Sequence, residues 1–333
     1  MHWRLVLVLV GVWASSAAAA PIEIEPFYTR NQSPLVQIFG LPPAEGGELF
    51  APGRTSAKLI LDVANVFAKG TNENHEVRLD GEIYRLTLAL RHGMGNRLEL
   101  GLDLPYVWHT GGKLDGFIDG FHRTFGFPEG GRDQCARDEI SYSSIADGEA
   151  LLWMEEPSDG IGDLLLTAGY SLWRQAGMVG KRALALRGAL KLPTGDSDDL
   201  TGSGSTDISL RLAYSDSISL ASRSLSWYGI LGGMLMSDGE VLQRKQENVV
   251  GFGTLGLGWT PYDWLALKVQ FDGHSPFYQG SQLAQEDEYS VQIILGFTAA
   301  LSADSHLDFG VVEDLIVETS PDVVFHLALG GRF

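Results

Sequence analysis

RLELGLDLPYVW (Arg97–Trp108) sorts its side chains into two sets. Leu98, Leu100, Leu102, Leu104, Tyr106 and Trp108 form one, and Arg97, Glu99, Gly101, Asp103 and Pro105 the other. A helix mixes such sets, whereas a strand, with its period of two, keeps them on opposite faces. The same alternation runs through KLILDVANVF, EIYRLTLALR, DLLLTAGYSLW, ALALRGALKLP, TDISLRLAYS, WLALKVQFDGH, EYSVQIILGFTA, SHLDFGVVED and VVFHLALGGRF. It is less clean in the Gly-rich LSWYGILGGML and VVGFGTLGLGWT. About twelve strands are predicted, from near Thr55 to Phe333.

The polar face is repeatedly charged at mid-strand: Lys58, Asp62, Arg85, Arg91, Glu99, Asp103, Arg187, Lys191, Arg211, Lys268 and Asp272. A soluble sandwich also alternates, so the choice rests on three further features. The strands run roughly 9–12 residues, the length of a tilted membrane crossing. Short links (92–96, 260–263, 302–305) take turns with long acidic ones, the arrangement of outer-membrane barrels. Tyr106, Trp108, Trp173, Trp259, Trp264 and Tyr289 sit near strand ends, where interfacial aromatic girdles belong. These features predict an all-β, transmembrane, antiparallel up-and-down barrel with both termini on the periplasmic side. The last strand ends on Phe333, with Val323, Phe325, Leu327, Leu329 and Gly331 on the same face. It looks like the terminal strand that bacterial outer-membrane barrels offer to their assembly machinery.

Residues 1–20 read as a secretory signal peptide: Arg4, the apolar run Leu5–Trp13, then the small residues Ser15–Ala20. Residues 21–54 form an N-terminal segment, a lumen plug or a periplasmic tail, and residues 55–333 the barrel. The expected location is the outer membrane of a Gram-negative bacterium, with lipid and lipopolysaccharide as surroundings. A formal charge of −18 argues against nucleic acid as a partner. The single cysteine, Cys135, makes neither an internal disulfide nor a Cys-rich zinc site. No cofactor or metal motif is present.

Upgoing strands close alike, in LDLPYVW, LKLPTGD and QFDGHSPFY, and downgoing ones restart with GIGD (160–163) and GSGSTD (202–207). This hairpin pattern resembles aromatic-degradation pathway (MetA-type) outer-membrane proteins, thought to admit small solutes. FYTRNQSPLVQIFGLP (27–42), FIDGFHRTFG with its flanking GG and GGRD, LKLPTGD, QFDGHSPFY and VVEDL (311–315) together resemble a bacterial family. It is catalogued as domain of unknown function 3187. That resemblance implies an outer-membrane barrel and brings no catalytic residues.

The loop from His109 to about Gly160 holds the densest chemistry. The spacing of Phe117, Ile118, Phe121 and Phe125 predicts a short helix, with Asp115, Asp119 and His122 on another side. Three readings compete: a helix packed into the barrel mouth with Arg123 and Arg132 pairing lumen acids, a ligand gate, or a catalytic His122–Asp pair. The stretch that follows, from Arg137 to Gly160, reads as acidic and mobile. DSDDLTGSGS (196–205) reads as a solvated acidic loop, lacking the spacing of an EF-hand. Arg85, Asp103, Arg187, Lys191, Arg211, Lys268, Asp272 and His274 are the lumen candidates, as a salt-bridged interior or a charged pore wall. The function expected is a channel or facilitator for a small solute, not an enzyme. Alternatives are a lipid- or lipopolysaccharide-modifying enzyme and a structural or surface-binding barrel.

Overall fold

A computed structural model describes residues 22–112, 139–177, 180–220, 223–315 and 319–333. The signal-peptide reading of residues 1–20 and the helix expected around 115–126 lie outside these residues.

The first strands are β1 (Thr55–Thr71), β2 (His75–Met94), β3 (Leu98–Thr110), β4 (Ser141–Ala146), β5 (Glu149–Met154), β6 (Ser158–Ile161) and β7 (Leu164–Ala176). They continue as β8 (Gly180–Leu192), β9 (Asp207–Leu220), β10 (Arg223–Met236), β11 (Val249–Tyr262), β12 (Leu265–His274), β13 (Ser290–Ala300), β14 (Ser305–Asp314) and β15 (Val323–Arg332). All pairings are antiparallel between neighbours, and β1 pairs with both β2 and β15. At the seam Thr55 N donates to Phe333 O and Phe333 N to Thr55 O, at 3.1 and 2.8 Å. Leaving aside the β4–β5 hairpin, and taking β6 and β7 as one interrupted strand, the 15-stranded sheet is a closed barrel of twelve.

Alternation decides which face is which. On β3, Glu99, Asp103, Val107 and His109 are buried while Leu98, Leu100 and Leu104 are exposed. Leu231, Leu235, Val249 and Leu255 on β10 and β11 are likewise exposed. A continuous apolar exterior of this kind is solvated by lipid rather than water. Trp173, Trp259 and Trp264 mark the periplasmic strand ends, and Tyr106, Trp108 and Tyr289 the opposite ones.

Four expectations need correction. Only β12–β15, with 10 or 11 residues, keep to the expected 9–12, whereas β1 has 17 and β2 has 20. Both rise past the membrane, so the outer link between them (72–74) is short, not long and acidic. The stretch read as mobile is the ordered β4–β5 hairpin, which extends the wall by pairing β4 with His75–Asp80 of β2. Asp147 and Gly148 turn it at φ 51° and 79°. Two successive left-handed residues match the twist of the strands they join, and Asp-Gly supplies them at low cost. Finally, only the acidic half of 196–205 faces solvent, because Leu200, Thr201, Ser203 and Ser205 turn inward and are buried.

Candidate functional site

From Pro26 to Gly47 the N-terminal segment lies inside the barrel as a hairpin-like excursion without strand structure, and residues 51–54 emerge exposed before β1. At its periplasmic end the segment donates from Ile22 N to Asp263 O. It climbs β12: Gln270 is bonded by Phe27 N, Asp272 by the Thr29 hydroxyl, and Asn31 Nδ2 lies 2.9 Å from His274 Nε2. It turns at Ser33–Phe39 and descends on the opposite wall, past Asp207 (from Gly40 N, 2.6 Å), Ser215 (from Gly47 N, 2.9 Å) and Glu99 (from Phe50 N, 2.8 Å). Among the described residues, backbone-to-backbone bonds between segment and wall occur only near its two ends, at Asp263 and Gly93. Everything between is held by side chains.

The upper lumen holds apolar packing. Leu35, Val36, Ile38, Phe39 and Leu41 join one buried cluster with Val66, Leu79, Ile83, Met234, Phe252 and Phe277 of the wall and outer links. Phe39 stacks on Phe277 with centroids 5.1 Å apart, and the Tyr278 hydroxyl donates to Leu35 O at 3.0 Å.

The lower lumen is a charged cage around Glu45. Its Oε1 accepts from Arg91 Nε at 2.6 Å and its Oε2 from Arg211 Nη2 at 2.6 Å, with Arg187 Nη1 3.7 Å away. Arg91 Nη1 reaches Asp103 at 2.8 Å and Arg187 Nη1 reaches Glu99 at 2.8 Å. The Tyr28 hydroxyl donates to Asp103 at 2.6 Å and accepts from Arg91 Nη2. Gly46 and Gly47 let the backbone lie against the wall, since a Cβ on Gly47 would meet Ala183 O at 2.4 Å. Burial pushes the Glu45 carboxyl up, but Arg91, Arg187 and Arg211 overcome this and hold it well below the usual carboxylate range. Beside the cage a cavity of about 720 Å³, lined in part by Glu25, Lys58, Arg91 and Arg332, extends to the strand-end residues Ser219, Ser224 and Asp304.

The lumen candidates are thus distributed over separate clusters. Lys191 meets Asp163 at 2.6 Å and Asp207 at 3.4 Å, and also the Ser203 hydroxyl, which explains why TGSGS turns inward. Lys268 meets Asp308 at 3.0 Å. Arg85 lies opposite Asp62 in register, yet donates to Gln37 Oε1 at 3.1 Å while Asp62 binds Gln32 and His326. Asp272 and His274 each turn to a different residue of the segment. Asp115, Asp119, His122, Arg123 and Arg132 lie outside the described residues. Sequence reasoning missed Glu45, Tyr28 and Gln37. The available signal was a lone acid between prolines and paired glycines in PPAEGGE (42–48).

The family described as "Protein of unknown function (DUF3187)" matches residues 3–333. The chain belongs to this family. A comparison with curated proteins finds no match. Among solved structures, this DUF3187 member is similar to the COG4313 outer membrane channel from Pseudomonas putida F1. The two are 17% identical over 86% of this chain and 98% of that one, with a TM-score of 0.56. The translocator domain of the autotransporter NalP from Neisseria meningitidis is 12% identical over 86% and 91% of the two chains, with a TM-score of 0.42. The Pseudomonas putida toluene transporter TodX is 9% identical over 94% and 95%, with a TM-score of 0.33. At such identities the likeness to the first of these is one of fold: a closed outer-membrane-type β-barrel.

Proposed function

We propose that this chain is an outer-membrane channel for a small solute, closed from within by residues 22–54, and that residues 1–20 export it. The observation that carries this reading is the way the segment is held. Between its ends it makes, among the described residues, no backbone ladder with the wall, so it can leave while every described strand pairing of the barrel stays intact. A plug built as a strand would tear the sheet on leaving. The cavity of about 720 Å³ beneath the segment gives a solute room on the periplasmic side. The similarity to a barrel named as an outer membrane channel supports the same reading. The last strand, with Leu327 and Leu329 facing lipid and Phe333 exposed beyond it, suits delivery by the barrel assembly machinery.

A reversible lock tests this. A Cβ on Gly46 would stand 3.9 Å from that of Ser215, within the roughly 3.5–4.5 Å of a disulfide. In a Cys135→Ser background, Gly46→Cys with Ser215→Cys should conduct in planar bilayers when reduced and fall silent when oxidised. A folded barrel that carries no current in either state, and swells no liposomes, sinks the proposal.

A further inference from the structure

The charges of segment and wall are unequal in kind. Residues 22–54 carry four glutamates and two arginines, of which Arg54 is exposed. Three of those glutamates sit on wall cations: Glu23 on Lys181 and Arg332, Glu25 on Lys58 and Arg332, and Glu45 on Arg91, Arg187 and Arg211. An acidic strap lies on a basic wall. When the strap leaves, Glu99 and Asp103 stay with Arg91 and Arg187, but Arg211 loses the one carboxylate it meets among the described residues. Among the described residues its Nε and Nη1 already lack a partner, although the side chain is only 1% exposed. An arginine buried with unspent donors has capacity for more anionic oxygen than Glu45 supplies.

We infer that Arg91, Arg187 and Arg211 form the binding site for a carboxylate-bearing solute, and that Glu45 is the tethered stand-in which that solute displaces. The adjoining cavity suits the rest of such a molecule, because Ala89 of β2 and Tyr228 of β10, which stay with the wall, line it beside the charged groups. The ligand class is therefore a small amphipathic carboxylate: its head exchanges with Glu45 on planar guanidinium forks, which match carboxylate geometry, and its tail rests on these side chains. The inference builds on the channel reading, since the segment must yield for the exchange to occur.

The probe is hexanoate, with hexanol as the neutral control, titrated calorimetrically into the full mature chain in detergent micelles at neutral pH. Hexanoate should bind and hexanol should not. Glu45→Gln removes the competing charge and should tighten hexanoate about tenfold, since an unpaired buried charge is costly and the ligand relieves it. Arg211→Lys keeps the charge but loses the fork, and should weaken binding by a similar factor. Heat-modifiable gel migration confirms that each variant is folded. Equal binding of hexanoate and hexanol, or no response to Glu45→Gln, overturns the carboxylate site. If the disulfide lock still switches the current in that case, the channel reading survives alone. Hexanoate binding that tightens in Glu45→Gln without any current supports the site and rejects the channel.

Discussion

The upper and lower halves of the lumen hold the same segment by opposite means. Above, Phe39, Leu35 and Ile38 are buried among apolar side chains in a cluster away from the periplasmic cavity. Below, Glu45 is fixed by three arginines at the edge of a cavity. Apolar burial is non-directional and strong when dry; ion pairs are directional, and the water they gain access to offsets much of their loss. The upper contacts therefore anchor the segment, and the lower ones set its register and what can compete with it.

Four measurements sharpen or break that division, the first having the largest expected effect. Phe39→Ala empties a side chain that is 1% exposed and should weaken anchoring by about 3–5 kcal/mol, seen as far more frequent opening in single-channel records. Glu45→Gln keeps the shape but loses the charge; Arg91 and Arg187 keep Asp103 and Glu99, so the loss falls mainly on Arg211 and should be about 1–3 kcal/mol. An opening frequency higher in Glu45→Gln than in Phe39→Ala would invert the roles given to the two halves. Raising salt from about 0.1 to about 1 M shortens screening from roughly 10 to 3 Å; it should loosen the cage slightly and leave the apolar cluster unmoved. Phe39→Ala should accordingly keep its salt response, and Glu45→Gln should lose part of it.

The smallest effect expected is that of pH. The Glu45 carboxyl titrates lower in the folded chain than its ordinary value of 4.5. Its contribution is thus complete above that ordinary value and is lost only as pH falls through the depressed one. Opening frequency should be the same at pH 7 and pH 5. A rise at pH 5 that Glu45→Gln abolishes would mean that Glu45 is not held by the arginines as described.

The barrel was legible because its rule is local: alternation along one strand needs only neighbours two residues apart. That rule placed Glu99, Asp103, Arg187 and Arg211 on the inner face. The β4–β5 hairpin was also legible in principle, since IADGEA centres on an Asp-Gly turn between alternating stretches, but its acidity and position in a long loop hid it. What could not be read was who meets whom across the lumen. Arg211 meets Glu45 166 residues away, and Arg85 takes Gln37 instead of Asp62 beside it. Such choices depend on where the segment descends, which no periodicity records. TGSGS looked solvated for the same reason: its burial depends on Lys191 inside the barrel.

The seam between β1 and β15 has a consequence for assembly. Closing it brings together Thr55 and Phe333, the most distant ends of the strand array, and contacts so far apart in sequence form late. The segment is joined to β1 at that very edge. It can be laid across the open sheet before the last strand arrives, with no need to thread a finished ring. Glu25 then bonds Lys58 of β1 and Arg332 of β15 at once, at 2.7 and 2.6 Å. The part proposed to block the passage is thereby also a clasp: the last strand finds its edge already marked by a carboxylate waiting for its arginine.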